Sequence, residues 1–254
     1  MSVYAVSDLH GRYDVFLRGI ERIGLESSDK LYVIGDAIDR GPDGIKILKH
    51  VMERDNMDLL IGNHEFMMLN SVNALGERHC DGRDSDLWLY YNGGRTTHAQ
   101  YKRLFPKDRR ELLAWLHGRA LILPLEIGGR RFCLTHSHYL PACENLTYDE
   151  LNYPTVWDIV WKSMFRTDRE THCDNVYKDF DCTFITGHVP VQRIYKSLPI
   201  DRGSWAGELK YAMAGNLIDI DGGCGLGYVS DLQTGAIFLR LDDMEEFPVL
   251  MGPE

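Results

Sequence analysis

Several short segments of the 254-residue chain carry side chains able to bind a cation. Asp8 and His10 lie in Ser7-Asp8-Leu9-His10-Gly11, Asp36 and Asp39 in Gly35-Asp36-Ala37-Ile38-Asp39-Arg40-Gly41, and Asn63 and His64 in Gly62-Asn63-His64-Glu65. Two isolated histidines follow, His136 in Leu134-Thr135-His136-Ser137-His138 and His188 in Ile185-Thr186-Gly187-His188. Carboxylate, imidazole and amide oxygen together suit borderline divalent ions such as Mn²⁺, Fe²⁺ or Zn²⁺, whereas structural zinc favours several cysteines. The donor chemistry therefore predicts a catalytic metal site. Residues two apart in extended chain share a side, so Asp8 and His10 reach one ion, and Gly11 lets the chain turn. Each piece alone has a plainer reading: a turn with a surface histidine, a loop with an ion pair, a helix capped by Asn63. Yet the three early segments come in order, with Asp8 and Asp36 28 positions apart and Asp36 and Asn63 27 apart. Each follows a strand-like run and precedes a helix-like one, an arrangement that unrelated turns would rarely repeat.

The elements that must position these residues show as an alternation. Residues 3–7, 31–35 and 58–62 read as strands and 13–24 and 43–54 as helices. This βαβαβ order favours a largely parallel sheet with ligands at its carboxyl edge. Residues 66–120 are rich in helix formers and charges and predict a helical insertion or cap. Strand signals return at 120–127, 130–136, 182–188, 216–223, 226–232 and 235–241, predicting a second, more antiparallel sheet. The stretch 140–180 is polar and irregular, and EEFPVLMGPE at 245–254 reads as a loosely held end. GGCGLG at 222–227 is followed by a β run rather than a helix, so it reads as a tight turn and not a dinucleotide fingerprint. A single α/β domain over 1–254 is expected.

Composition narrows the function. The hydrophobic fraction of 44% and charged fraction of 26% exclude disordered and fibrous classes. A net charge of −10 argues against a nonspecific nucleic-acid binder, so any attraction for phosphate must be local. No apolar stretch is long enough for a membrane span, and the opening MSVYAVSDLHGR lacks a basic-then-apolar layout, so a cytoplasmic protein with no membrane partner is expected. The six cysteines form no C-x-x-C pair and read as reduced core thiols.

On these segments the chain resembles the phosphoprotein phosphatase branch of the calcineurin-like metallophosphoesterases, especially bacterial and bacteriophage serine/threonine phosphatases. The family pattern is G-D-x-H-G, G-D-x-V-D-R-G, G-N-H-E and two later histidines. Here SDLHG, GDAIDRG, GNHEF, LTHSH and ITGHVPV match it, and Ser7 and Ile38 depart from it without changing a ligand. The resemblance implies a β-sandwich of two mixed sheets flanked by helices. It also implies two divalent ions, Mn²⁺ first with Fe²⁺ or Zn²⁺ as alternatives. Asp8, His10 and Asp36 would hold one, and Asp36 would bridge to a second held by Asn63, His136 and His188. A hydroxide between them would attack phosphorus in line, with no covalent phosphoenzyme. His64 resembles the general acid, Asp39 its orienting partner and Arg40 a bidentate phosphate clamp. Glu65 reads equally as a catalytic neighbour or a first-turn helix residue. His138 competes with His136, which comes first after its strand. His50, His79, His98, His117 and His172 have no motif context. The family places a second phosphate-binding arginine between the two late histidines, often shortly after a tryptophan; here Trp161 is followed by Arg166 and Arg169, either of which would substitute unless the contact is lost.

Two substrates fit the resemblance: a serine/threonine phosphoprotein, with phosphotyrosine as an extension, and a symmetrical dinucleoside tetraphosphate. Asp39 and the segment WLYYNGGRTTHAQY are similar to bacterial protein phosphatases, which places a phosphoprotein or phosphopeptide first and the symmetrical bis(5'-nucleosyl)-tetraphosphate hydrolase second. A reading of another class, an inactive metal-binding interaction module, is disfavoured because every ligand and the acid are retained. Residues 66–120 and 140–180 are the expected specificity surface, because loops around a rigid core usually carry selectivity. Oligomeric state stays open.

Overall fold

The apolar runs near the start form β1 (Val3–Val6), β2 (Lys30–Ile34) and β3 (Met57–Leu60), linked by α1 (Tyr13–Ile23) and α2 (Gly44–Met52). β2 pairs in parallel with β1 and with β3, which leaves all three carboxyl ends at one edge. α1 covers this sheet because Val15, Phe16, Gly19 and Ile23 fall on one helical face and are buried. These assignments come from a computed structural model, which describes residues 1–77, 82–165, 178–197, 205 and 207–252.

Between 66 and 120 the described residues are largely helical. They hold the end of α3 (Asn63–Leu69), α4 (Arg83–Asp86), a five-residue π-helical turn (Leu87–Tyr91), α5 (Arg95–Arg103) and α6 (Pro106–His117). Every residue of α3 is buried, so this helix sits in the interior beneath the site. A second sheet follows, built from β4 (Ile122–Ile127), β5 (Arg130–Thr135), β6 (Thr183–Thr186), β7 (Ala212–Ala214) and β8 (Leu217–Asp219). Between its strands lie α7 (Tyr153–Trp161) and α8 (Val191–Ser197). Its order is β4-β5-β6-β8-β7, with β6 parallel to both neighbours and the outer pairs antiparallel. The chain then returns to the first sheet with β9 (Gly235–Arg240) and β10 (Glu245–Leu250), giving the order β10-β9-β1-β2-β3. The fold is therefore α/β, with two mixed five-stranded sheets flanked by helices.

Four expectations change. The run 235–241 belongs to the first sheet, antiparallel to β1, and not to the second. Its first five strand residues are buried, so no polar alternation marks which sheet it joins. The supposed loose tail is β10, fully registered on β9. β10 carries Pro248, which an edge strand tolerates because one side of it makes no ladder bonds. Residues 226–232 form no strand, only a short helical turn (Cys224–Leu226) and an isolated bridge between Val229 and Leu232. The irregular stretch 140–180 contains α7, opened by Asn152, whose side chain accepts a hydrogen bond from the Thr155 amide at 3.1 Å. Cys133, Cys143, Cys182 and Cys224 are buried free thiols, while Cys80 and Cys173 lie outside the described residues. Among the described residues no helix is long and apolar enough to cross a membrane.

Gly19 is where α1 touches the sheet: a Cβ there would lie 1.9 Å from the ring of Phe238 on β9. Gly19→Val is expected to destabilise the fold by about 1–3 kcal/mol through overpacking. A chemical-denaturation midpoint equal to that of the parent would contradict this close contact.

Candidate metal centre

Both sheets deliver chemistry at their strand ends. Asp8 follows β1, Asp36 follows β2, Asn63 opens α3 just after β3, His136 follows β5 and His188 follows β6. The bends that carry them are unusual. Among the described residues eight non-glycine residues have positive φ, and six of these are Asp8, His10, Asp36, Asp39, Arg40 and His188. L-residues rarely adopt that region, and such strain gathers where side chains must be aimed. Gly35, at φ 73°, permits the approach of strand ends: a Cβ there would come within 2.6 Å of both the Gly62 Cα and His136 Nδ1.

The six expected ligands converge. Asp36 lies between two donor sets, with Oδ1 3.4 Å from His136 Nε2 and Oδ2 3.8 Å from His10 Nε2. Asn63 Oδ1 is 3.0 Å from His136 Nε2 and 3.0 Å from His188 Nδ1. Asp8 Oδ1 is 3.9 Å from His10 Nε2. Donor atoms of His10, Asp36 and His64, and of Asp36, His136 and His188, all fall within 4.8 Å of one another in their sets. The first set contains His64 where the sequence places Asp8, because His64 Nε2 is 3.7 Å from Asp36 Oδ2. His138 is in neither set. Arg166 and Arg169, like His79 and His172, lie outside the described residues.

Outer contacts fix how these groups point. His136 Nδ1–H donates to the Ile34 carbonyl at 2.9 Å and His10 Nδ1–H to the Ile38 carbonyl at 3.2 Å. In each ring this leaves the Nε2 lone pair facing inward, the tautomer a metal-binding histidine needs. Asp8 Oδ2 accepts from the Ser7 hydroxyl and, at 2.9 Å, from the His188 amide. Asp36 Oδ1 accepts from the His64 amide at 3.0 Å.

The electrostatics call for positive charge. Burial, with Asp221 adding repulsion, raises the Asp8 carboxyl well above its ordinary range. Burial and Glu65 do the same to Asp36. Burial lowers His10, His64 and His188, keeping these imidazoles neutral. Crowded acids and neutral imidazoles with inward lone pairs form a donor set that divalent cations fit, and a bound cation would reverse the carboxyl shifts.

A second cluster adjoins this one. His64 Nδ1–H donates to Asp39 Oδ2 at 2.6 Å, as the motif suggested, and Trp88 Nε1–H donates to the same oxygen at 2.7 Å. Burial pushes Asp39 up to about 7. The Arg40 guanidinium places Nη1 3.0 Å from His10 Nε2 and Nη2 3.3 Å from His64 Nε2. Asp43, three residues along, pairs with Lys46 at 2.6 Å.

Three buried residues went unassigned in the sequence. Trp88 was noticed only as part of a similar segment. Asp221 follows β8 and is pushed up to about 6 by burial; its position after a strand, like that of the other acids, was the available signal. Glu65, left between two readings, is a brace. Its Oε2 accepts from the Asp36 amide at 2.8 Å and the Gly62 amide at 3.0 Å, and its Oε1 from the Ala37 amide at 2.9 Å. It thus ties the end of β2 to the end of β3. Glu65→Gln is expected to weaken metal binding by about 10- to 100-fold, the usual effect of losing a support behind a ligand. An unchanged affinity in a metal titration would remove Glu65 from that role.

Comparison with known proteins agrees with this arrangement. The sequence profile of the family described as Calcineurin-like phosphoesterase matches residues 1–214. A relative from Acidovorax sp. (strain JS42), named bis(5'-nucleosyl)-tetraphosphatase, symmetrical, is 33% identical over 153 residues, covering 58% of this chain and 49% of its own. The chain therefore spans about half the length of that relative. A protein of the same name from Pasteurella multocida (strain Pm70) is 24% identical over 266 residues, covering 88% of this chain and 90% of its own. The solved structure of a putative diadenosine tetraphosphatase superposes with a TM-score of 0.60 at 14% identity, over 99% of this chain and 94% of that one, a likeness of fold. The profile match extends over most of the chain, and with it the chain belongs to the calcineurin-like phosphoesterase family, whose members are metal-dependent hydrolases.

Proposed function

We propose that the protein is a binuclear phosphohydrolase whose substrate is a symmetrical dinucleoside tetraphosphate. The observation that carries the chemistry is Asp36, with one oxygen toward His136 and the other toward His10. The support for the substrate is the shared printed name of the curated relatives. They reverse the order in which the sequence alone ranked the two substrates. Asp8, His10 and Asp36 would hold one cation, and Asp36, Asn63, His136 and His188 the other. Mn²⁺ is the first candidate and Fe²⁺ or Zn²⁺ the alternatives, since the donors mix carboxylate, imidazole and amide with no thiolate. Bound there, the cations supply charge neutralisation and a more acidic water.

The side chains do the rest. Arg40 directs a planar fork into the centre and suits two oxygens of one phosphate. His64 Nδ1–H is held by Asp39, so Nε2 faces the centre as the atom that would take up a proton and deliver it to the departing oxygen. Trp88 holds Asp39 in turn.

One observation favours a second reading, a serine/threonine phosphoprotein phosphatase. A departing serine alkoxide is a strong base and needs a delivered proton, whereas a nucleoside diphosphate leaves as a weak base. The 2.6 Å contact between His64 and Asp39 is suited to the harder departure.

Initial rates with Mn²⁺ on diadenosine tetraphosphate and on phosphoserine, phosphothreonine and phosphotyrosine peptides separate these readings. The nucleotide is expected to be preferred; a higher kcat/KM on a phosphopeptide would put the phosphatase first. Chelator is expected to abolish turnover, and full activity in its presence would overturn the metal-dependent chemistry. His64→Asn is expected to lower turnover by about 10²- to 10⁴-fold while metal content holds. A parental rate in that variant would show that His64 carries no proton.

A further inference from the structure

A cleft of about 460 Å³ opens beside the metal centre, lined by Arg83, Asp86, Leu87, Tyr91, Trp157 and Trp161. One wall is an aromatic ladder along α7. Tyr153 and Trp157 stack with ring centroids 6.2 Å apart, and Trp157 and Trp161 stack at 5.1 Å with their planes 28° apart. Trp161 meets His188 edge-on at 6.0 Å, so the ladder begins against an expected metal ligand and runs outward. The opposite wall is the π-helical turn, which sends Leu87 and Tyr91 to the cleft. Tyr91 is 80% exposed, which leaves its ring accessible to a ligand. The same turn sends Trp88 inward to Asp39, so one short element faces both the cleft and the His64 pair. Inserted π turns are rare and often mark functional sites. Tyr153 Oη donates to Asp84 at 2.9 Å, which ties the two walls together at the rim.

We propose that this cleft is the nucleobase subsite: a purine stacks on the Trp157–Trp161 ladder and Tyr91 closes over its other face, while the attached phosphates extend past Trp161 to the metal centre. The inference rests on the dinucleotide reading and deepens it. A lining of Leu87, Tyr91, Trp157 and Trp161 with two charged residues, Arg83 and Asp86, suits a π-faced ring, and a mostly apolar cleft with few polar groups is the common form of a small-molecule site. A nucleotide spans from such a wall to a phosphate-binding centre; a phosphoserine side chain carries no ring to fill it.

The test is binding and kinetics on the metal-loaded protein. Tryptophan emission is expected to be quenched by ADP and not by inorganic pyrophosphate. Tyr91→Ala is expected to raise KM for diadenosine tetraphosphate about tenfold or more, and Tyr91→Phe to restore it. Equal responses to ADP and pyrophosphate, or an unchanged KM in Tyr91→Ala, would overturn the subsite. Turnover of the dinucleotide without an ADP response overturns the subsite alone. An ADP response without dinucleotide turnover supports the subsite and overturns the tetraphosphatase reading. Quenching by a phosphotyrosine peptide with none by ADP assigns the cleft to peptide rings and overturns the proposal.

Discussion

Burying several acids around one point is unfavourable unless each has an answer, and that constraint organises this molecule. Glu65 is answered by three backbone amides, Asp8 by the Ser7 hydroxyl and the His188 amide, and Asp36 in part by the His64 amide. What these contacts leave unsatisfied points inward, between neutral imidazoles. The site is in this sense a set of carboxyls partly neutralised from behind and open in front.

The two sheets share the work unequally. The first supplies Asp8, Asp36, Glu65 and the His64–Asp39–Arg40 cluster from the carboxyl ends of parallel strands, the place where open α/β sheets leave room for ligands. The second supplies His136 and His188 from β5 and β6, which are parallel to each other. Left-handed backbone at six site residues turns the chain two to six residues beyond the ends of β1, β2 and β6. Regular structure could not aim so many side chains at one place, and the buried hydrogen bonds around the site hold those bends closed.

The candidate donors Asp8, His10, Asp36 and Asn63 were legible because their spacing repeats a strand-turn-helix unit whose local chemistry survives without knowledge of the fold. Local pattern does not tell which sheet a fully apolar strand joins, and β9 was misplaced for that reason. Pro248 weakens the strand signal of β10, and an edge position with one unpaired side accommodates it. Trp88 and Asp39 are 49 positions apart, and nothing near either residue announces their contact. Glu65 was ambiguous because a helix N-terminus and a loop brace favour the same acid. The π turn, from 66–120, and α7, from 140–180, line one cleft together.

The return of β9 to the first sheet has a consequence for how the chain comes together. Tyr4 pairs with Arg240, a contact spanning nearly the whole sequence. Non-local pairings of this kind slow folding, since the closure entropy of the long loop is lost before the contact is gained. During translation β1 would leave the ribosome on the order of ten seconds or more before its antiparallel neighbour, at usual synthesis rates. The half of the chain that holds Asp8, Asp36 and Asn63 therefore has an open edge for most of its birth, and it needs the last strands to become a finished domain.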